Sequence, residues 1–187
     1  MLDKALMDPF ELHDERLVLR PWRPDDVDAV YRACQDGELQ RWTTVPSPYT
    51  RADAERWIER IAPRDWAAGI DLTWAITERP ADEPIAAISL RSRPEERWAV
   101  ASFGFWAAPK ARGRGIVTDA TRIVAKYAFT TLGVQRLEWY ANVGNVASRR
   151  VAEKVGFTLE GTLRRGLDQR GTRVDAWIGS LLPGELQ

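Results

Sequence analysis

Histidine and cysteine are nearly absent from this chain of 187 residues, which contains one of each, His13 and Cys34. A single cysteine forms neither an internal disulfide nor a cysteine-rich metal site. A single histidine excludes histidine-cluster metal sites and any catalytic arrangement that needs a second imidazole. We therefore predict a protein without a bound metal, in which His13 is an ordinary surface residue.

The chain also lacks net charge, long hydrophobic runs and internal repeats. Its 27 lysines and arginines are balanced by 27 aspartates and glutamates, so no bulk positive field exists that would release counterions from nucleic acid. The chain contains no run of about 18 apolar residues, so no membrane span is predicted. The N-terminus lacks a signal-peptide core. We expect a cytoplasmic protein that binds neither nucleic acid nor membranes.

Residues that can build a core are present in quantity. Apolar residues make up 44% of the chain and include nine tryptophans, and the length is typical of one domain. We predict a single domain over residues 1–187, with residues 1–14 as a loose lead-in. The apolar periodicity predicts a strand, two helices, three strands, a helix, a strand, a helix and two strands. That order indicates a mixed α/β fold.

Helix boundaries in the first third are predicted from local signals. Gly37 is expected to end the first helix. The pair Thr50 and Asp53 has the spacing of a capping box that begins the second helix, and Pro63 is expected to end it. The stretch Arg41–Thr50 between the two helices is expected to be irregular.

The clearest chemical signal is the segment Pro109–Ile116, which reads PKARGRGI between an apolar strand ending at Ala107 and a long helix. Gly113 and Gly115 let the backbone turn tightly and let a ligand approach its N–H groups. A helix N-terminus carries unpaired N–H groups and a partial positive charge, and three basic residues add full charges. The segment predicts an anion site suited to a diphosphate; the alternative is an ordinary turn with solvated basic residues.

Two known phosphate loops do not fit this segment. The dinucleotide-binding fingerprint requires a third glycine, and Thr118 stands at that spacing. The Walker A pattern requires Gly-Lys-Ser/Thr after four intervening residues, which no segment provides.

A second segment narrows the interpretation. Residues 137–157 read LEWYANVGNVASRRVAEKVGF, and together with the glycine turn they resemble the GNAT superfamily of N-acetyltransferases. Residues 15–21 and 24–26 resemble the opening of the branch that holds ribosomal-protein N-terminal acetyltransferases. The resemblance covers roughly residues 14–181. It implies a central mixed, mostly antiparallel sheet flanked by helices and splayed at the strands that end near Ala107 and Ala141.

The resemblance also implies a site for acetyl-CoA as cosubstrate. The backbone of residues 105–107 would pair with the pantetheine arm, residues 112–116 would hold the diphosphate, and the amide and hydroxyl side chains near residue 145 would face the pantetheine and the sulfur. The implied binding residues are Phe105, Trp106, Ala107, Arg112, Gly113, Arg114, Gly115, Ile116, Asn142, Asn145 and Ser148. The adenosine phosphates are assigned to Arg149, Arg150 or Lys154. Lys110 departs from the family, which commonly has Gln or Arg there.

Several of these residues have structural alternatives. Asn145 caps a helix on any interpretation, and Lys154 suits the last turn of that helix. Trp42 and Tyr49 are candidates for the acceptor pocket, because they lie in the stretch expected to be irregular. Trp57 is expected in the core because of its helical spacing.

The expected mechanism is direct acyl transfer in a ternary complex, with Ser148 as the proton donor to the leaving thiolate. Cys34 is predicted on a buried helix face and is not expected to carry the acyl group. The resemblance implies a carboxylate on the central strand as a base, and the nearest matching position in this chain is Ser102. Asp119, Glu138 and a water relay remain open as general bases.

Three functions stay open at this point. The first is an acetyl-CoA-dependent N-acetyltransferase acting on a protein N-terminus or a small-molecule amine. The second is a CoA-binding regulatory module without chemistry, and the third is an acyltransferase that uses a longer acyl-CoA. The sequence leaves the acceptor open, and either a monomer or a homodimer is expected.

Overall fold

A computed structural model describes residues 8–92 and 99–187. Within those residues, eight strands form one sheet in the order β1-β2-β3-β4-β5-β6-β8-β7. The strands are β1 Leu12–His13, β2 Leu17–Arg20, β3 Asp71–Glu78, β4 Ala86–Ser92, β5 Val100–Ala107, β6 Arg136–Asn142, β7 Thr158–Gln169 and β8 Thr172–Leu181. The helices are α1 Val27–Cys34, α2 Gly37–Trp42, α3 Arg51–Arg56, α4 Ala62–Ala67, α5 Ile116–Thr130 and α6 Val146–Val155.

The strand directions confirm the predicted mixed, mostly antiparallel sheet. Only the β5–β6 pair is parallel among the described strands. Its register runs from Val100 opposite Arg136 to Phe103 opposite Trp139 and then stops, although β5 continues to Ala107 and β6 to Asn142. The sheet therefore splays at the expected place.

The main core lies between the sheet and α5. Leu72, Trp74 and Ile76 on β3 are all at most 2% exposed and share a face, as their spacing of two predicts. The apolar stripe of α5, which includes Ile116 and Val124, is buried against the same cluster. This packing fixes the beginning of α5, and with it the glycine turn, relative to the sheet.

A buried ion pair attaches α1 to the other side of the sheet. The guanidinium of Arg20 on β2 donates to both carboxylate oxygens of Asp26, at 2.8 Å each, and to the Oδ1 of Asp82, also at 2.8 Å. Arg20 is 2% exposed and Asp26 is 4% exposed. Because Asp82 belongs to the β3–β4 loop, Arg20 connects β2 both to the segment that begins α1 and to this loop.

Two predicted helix ends are wrong. Gly37 begins α2, because the side chain of Asp36 accepts the N–H of Leu39 at 2.8 Å and caps a new helix. The helix expected to end at Pro63 continues through a π-helical turn, Trp57–Ile61, into α4. Pro63 is the second residue of α4 and follows directly on the π-helical turn, where the ordinary i→i−4 bonding is already interrupted.

Two further expectations require correction. Part of the stretch Arg41–Thr50 is helical, since α2 extends to Trp42. Of the expected loose lead-in, residues 1–7 lie outside the described residues. Residues 8–14 contain β1, which pairs with β2, and Phe10, whose ring contacts Trp66 and Trp74 at centroid distances of 5.5 and 5.8 Å. Aromatic packing orders this part of the lead-in.

Within the described ranges, no helix has both the length and the apolar composition needed to cross a bilayer.

Candidate active site

A cavity of about 1050 Å³ opens where β5 and β6 separate. It runs from the glycine turn before α5 to the helices α2–α4. It brings together most of the residues that the sequence proposed for the site; Arg114, Arg149, Asp119 and Glu138 do not line it. These lining residues are Trp42, Tyr49, Phe105, Trp106, Ala107, Arg112, Gly113, Gly115, Ile116, Asn142, Asn145 and Ser148.

One end of the cavity, the diphosphate corner, is formed by the backbone of residues 113–118. Gly113 and Gly115 have positive φ angles of 72° and 79°, which glycine adopts without strain. The first hydrogen bond into α5 comes from the N–H of Asp119 to the carbonyl of Gly115, at 2.9 Å. Among the described residues, the N–H groups of residues 113–118 find no protein acceptor. Several unpaired donors at a helix N-terminus fit the diphosphate of CoA.

The basic residues of the glycine turn are divided between the cavity and the outer surface. Arg112 lines the cavity and forms an ion pair with Asp36. Lys110 lies 3.0 Å from Glu83, and Arg114 pairs with a carboxylate on β3; neither side chain lines the cavity. Of the three basic residues of the glycine turn, only Arg112 has a side chain placed to face a ligand in the cavity.

Two further cations reach the cavity from α6. Arg150 and Lys154 both line it. Arg149, the third residue assigned to the adenosine phosphates, instead binds Glu153 at 2.7 Å and does not line the cavity.

The start of α6 fixes Ser148 at the splay. The Oδ1 of Asn145 accepts the N–H of Ser148 at 3.1 Å, which confirms Asn145 as the N-cap. The Oγ of Ser148 accepts a second hydrogen bond, from the indole Nε1 of Trp139 at 2.9 Å. Trp139 is 3% exposed on β6 and reaches the cavity. Sequence reasoning did not identify Trp139, because nothing in its spacing distinguishes it from a core residue.

The other end of the cavity, the acceptor end, carries the two predicted aromatics. Trp42 lies at the end of α2, donates its Nε1–H to Glu38 at 2.9 Å and packs against Gly144. Tyr49 is 7% exposed and belongs to the core of α1–α3, beside Cys34. Burial raises the pKa of the Tyr49 hydroxyl and raises that of the Cys34 thiol to about 12, so both groups are neutral near pH 7.

A pair of side chains at the β7–β8 turn, Gln169 and Arg170, which we name the clasp, joins this turn to α2 and the segment after it beside the acceptor end. Gln169 accepts the Nδ2–H of Asn142 at 2.9 Å and donates to the carbonyl of Thr43 at 2.7 Å. The guanidinium of Arg170 donates to three carbonyls of α2 and the segment after it, those of Gln40, Thr43 and Val45.

Arg170 adopts a conformation that its residue type disfavours. Its φ is 51°, a left-handed value that costs a non-glycine residue roughly 1–2 kcal/mol. The Arg170-Gly171 pair forms a two-residue hairpin turn, a position where Asn-Gly is usual. A glycine at the second position of the turn is the local signal for it, but the three carbonyls that Arg170 binds lie 125 to 130 residues away and leave no local trace in the sequence.

The two carboxylates considered as general bases lie outside the cavity. Asp119 binds Arg122 at 3.0 Å. Glu138 is 5% exposed and accepts the hydroxyl of Tyr140 at 2.7 Å. Ser102, the position that the resemblance matches to a carboxylate of the central strand, lines the cavity.

Asp71 is a cavity-lining carboxylate that the sequence analysis did not consider. Its Oδ2 accepts a hydrogen bond from Arg91 at 2.7 Å. Its Oδ1 is buried and has no hydrogen-bond partner among the described residues. Because that oxygen is shut off from solvent, it is poorly placed to accept a proton from a water in the cavity.

The part of the chain that the structure describes contains no group of three side chains able to hold a metal ion.

A splayed mixed sheet, unpaired amides at the start of the following helix and a hydroxyl at the splay together define an acyl-CoA-dependent transferase. The model of the acetyltransferase (GNAT) domain family matches residues 16–158, about three quarters of the chain. The chain therefore belongs to the GNAT acetyltransferase family, as its two motifs predict. The family assigns the enzyme class, an acetyl-CoA-dependent N-acetyltransferase, and acetyl-CoA as its cosubstrate.

Similar proteins support the same family. YdaF of Bacillus subtilis, provisionally named a ribosomal N-acetyltransferase, is 42% identical over 85 residues, a match that spans 46% of each chain. The L-amino acid N-acetyltransferase AaaT of Escherichia coli K12 is 31% identical over 162 residues, which cover 86% of this chain and 94% of AaaT. The structure of Mycobacterium smegmatis RimJ with CoA-disulfide has the same fold, with a TM-score of 0.80, 23% identity and coverage of 95% and 88% of the two chains.

Proposed function

We propose that this chain transfers the acetyl group of acetyl-CoA directly to a primary amine in a ternary complex. The observation that carries the proposal is that one cavity holds both the unpaired amides of residues 113–118 and the Ser148 hydroxyl. An anion-binding corner alone indicates a nucleotide site. A polar proton donor at the splay of the same cavity adds the group that a departing thiolate requires.

The cosubstrate is assigned to three parts of the cavity. The amides of residues 113–118, with Arg112, hold the diphosphate; Arg114 contributes through its backbone N–H. Arg150 and Lys154 are available to the adenosine phosphates. The backbone of β5 beyond Phe103 has no strand partner on its β6 side among the described residues, which leaves residues 105–107 free to pair with the pantetheine arm.

The side chains around the thioester have distinct tasks. Acetyl-CoA, when bound, supplies an acyl carbonyl with a thiolate leaving group. Ser148 holds a proton for the sulfur. Asn142 and Asn145 face the same region, and Asn145 fixes the first turn of α6. Asp119 and Glu138, the two carboxylates that the sequence offered as bases, lie outside the cavity. Of the alternatives considered for the base, we therefore assign removal of the amine proton to a water relay.

The acceptor is an amine of a protein N-terminus or of a small molecule. The names of YdaF and AaaT point to a ribosomal and an amino acid acceptor, respectively. The pKa of an α-amino group is about 8, whereas that of a lysine side chain is about 10.4. An α-amine is therefore partly neutral at physiological pH and reacts without a strong base, which suits a cavity that relies on water. Trp42 and Tyr49 are assigned to the wall around this amine.

The diphosphate assignment is tested by Gly113→Glu, which places a carboxylate at the corner. For the unaltered protein, acetyl-CoA at a hundred times its Kd stabilises the fold by about 2.7 kcal/mol, which raises the Tm by roughly 5–10 °C for a chain of this size. Gly113→Glu is expected to abolish that shift. Gly133→Glu is the matched control, since Gly133 has a similar φ of 69° and no neighbour within 4 Å of an added Cβ. No shift in the unaltered protein would refute the proposal.

A second candidate is a CoA-binding regulatory module without chemistry, favoured by Ser102 at the position where a carboxylate is common. Release of free CoA thiol with any amine from a panel of peptides, amino acids and polyamines would dismiss it. Comparing turnover of acetyl-CoA with that of longer acyl-CoA substrates decides the remaining alternative, an acyltransferase for longer chains.

A further inference from the structure

We propose that Trp139 is a positioning residue that directs the proton of Ser148 towards the sulfur of CoA. The inference rests on the proposed function, because it assumes that the sulfur lies beside Ser148. It goes beyond that function by assigning a task to a buried residue of the sheet that does not itself donate to the substrate.

The hydrogen bond between the two residues has a fixed direction. An indole N–H donates and never accepts, so the Oγ of Ser148 is the acceptor in the 2.9 Å contact with Trp139. The hydroxyl proton of Ser148 is therefore not used in this bond. Trp139 is 3% exposed within the sheet, so it holds the Oγ from a rigid support.

The hydroxyl proton of Ser148 is also not spent on its own helix. Hydroxyls in helices often donate to the carbonyl four residues earlier. In α5, Thr121 donates to the carbonyl of Val117 at 2.7 Å, and Thr130 donates to that of Lys126 at 2.8 Å. Within the described residues, Ser148 makes no such bond. Its proton is left for a group in the cavity.

The geometry makes Ser148 a better proton donor at the moment of transfer. As the amine nitrogen forms its bond to the acyl carbon, the C–S bond breaks and its electron pair moves to sulfur. Sulfur takes the proton from the Oγ of Ser148, and the Trp139 N–H stabilises the negative charge that develops on that oxygen. The proton lost by the amine nitrogen returns through water to Ser148, so the cycle ends with no net change in the protein.

A purely structural role is the competing explanation. A buried indole N–H requires an acceptor, and Ser148 would then serve only to satisfy Trp139. In that case neither residue would affect the state of the CoA sulfur. The two explanations are distinguished by whether CoA binds better as a thiolate.

The test compares the Kd values of CoA and desulfo-CoA by calorimetry between pH 7 and 10. For the unaltered protein, the preference for CoA over desulfo-CoA is expected to rise about tenfold as the pH passes through the pKa of the CoA thiol, because Ser148 donates to the thiolate. Trp139→Phe and Ser148→Ala are both expected to flatten the rise. Cys34 does not interfere, since its pKa is raised to about 12 by burial.

Trp177→Phe is the matched control. Trp177 is a partly buried tryptophan on β8 that does not line the cavity, and this variant is expected to keep the rise. A rise that survives in Trp139→Phe would overturn the proposal, as would a flat profile for the unaltered protein. If Trp139→Phe does not fold, Ser148→Ala decides, since a rise retained there is equally contradictory. Failure of CoA and desulfo-CoA to bind the unaltered protein at all would instead contradict the proposed function.

Discussion

The two ends of the cavity are built in different ways. The diphosphate corner comes from one continuous segment, residues 113–118, and its donors are backbone N–H groups. The acceptor end is assembled from α2, the β6–α6 turn and the clasp on the β7–β8 turn. The comparison shows that the corner depends on local backbone geometry, whereas the acceptor end depends on side chains that meet only after the whole sheet has formed.

The largest effect, a loss of stability, is expected from breaking the buried ion pair between Arg20 and Asp26, which supports the acceptor side. Arg20→Met removes the guanidinium and leaves the buried carboxylate of Asp26 without its partner, so the free energy of unfolding should fall by about 3–5 kcal/mol. Urea denaturation measures this loss. Arg23→Met is the control: Arg23 is half exposed and pairs with the same Asp82, so it should cost less than about 1 kcal/mol. Equal losses in the two variants would contradict the assignment.

The next largest effect is a loss of turnover, which distinguishes a helix N-cap that lines the cavity from one that lies outside it. Asn145→Ala removes the N-cap of α6 and should cost about 1 kcal/mol of stability. Because Asn145 also fixes Ser148, turnover should fall by at least about tenfold. Thr50→Ala removes the N-cap of α3 and should cost a similar stability with turnover unchanged. Equal turnover in the two variants would show that Asn145 is a cap and nothing more.

A smaller effect is expected at the clasp. Arg170→Asn keeps a residue type that tolerates the left-handed conformation but removes the three bonds to the α2 side. The KM for the acceptor should rise several-fold, while the Tm shift caused by acetyl-CoA stays the same. Arg164→Asn, at an exposed position of β7, is the control. A loss of the acetyl-CoA shift in Arg170→Asn would mean that the two ends are not independent.

The smallest effect, a change in the affinity for acetyl-CoA, is expected at Asp36, which connects the two ends of the cavity. Asp36 caps α2 and pairs with Arg112, and Arg112 holds the pKa of this carboxyl below its ordinary value. Asp36→Asn keeps a capping side chain and releases the guanidinium, so acetyl-CoA should bind about two- to threefold tighter. Titration calorimetry measures the change. Weaker binding would show that Asp36 orients Arg112 for the ligand instead of competing for it.

The same contrast explains what the sequence predicts and what it does not. Gly113, Gly115 and Asn145 act through turn and cap geometry that is local in sequence, so their places follow from spacing alone. The division of the basic residues between Arg112 in the cavity and Lys110 outside depends on Asp36 and Glu83, which are distant in sequence. Tertiary partners of this kind leave no periodic signal.

The predictions of two helix ends were wrong for a related reason, because neighbouring residues override the local signal. Gly37 and Pro63 are typical helix terminators, but Asp36 supplies a cap that starts α2, and Pro63 follows directly on the π-helical turn. The prediction of an irregular stretch between the two helices followed from the first of these errors. Trp42 and Tyr49 nevertheless line the cavity, because α2 and the segment after it fold over the splayed strands.

The most direct test of the central claim is a crystal structure of the protein with CoA. We expect diphosphate oxygens to lie about 3 Å from backbone nitrogens of residues 113–118, with the pantetheine arm running along β5 towards Ser148. A diphosphate bound elsewhere, or held by side chains while those amides stay unpaired, would contradict the account.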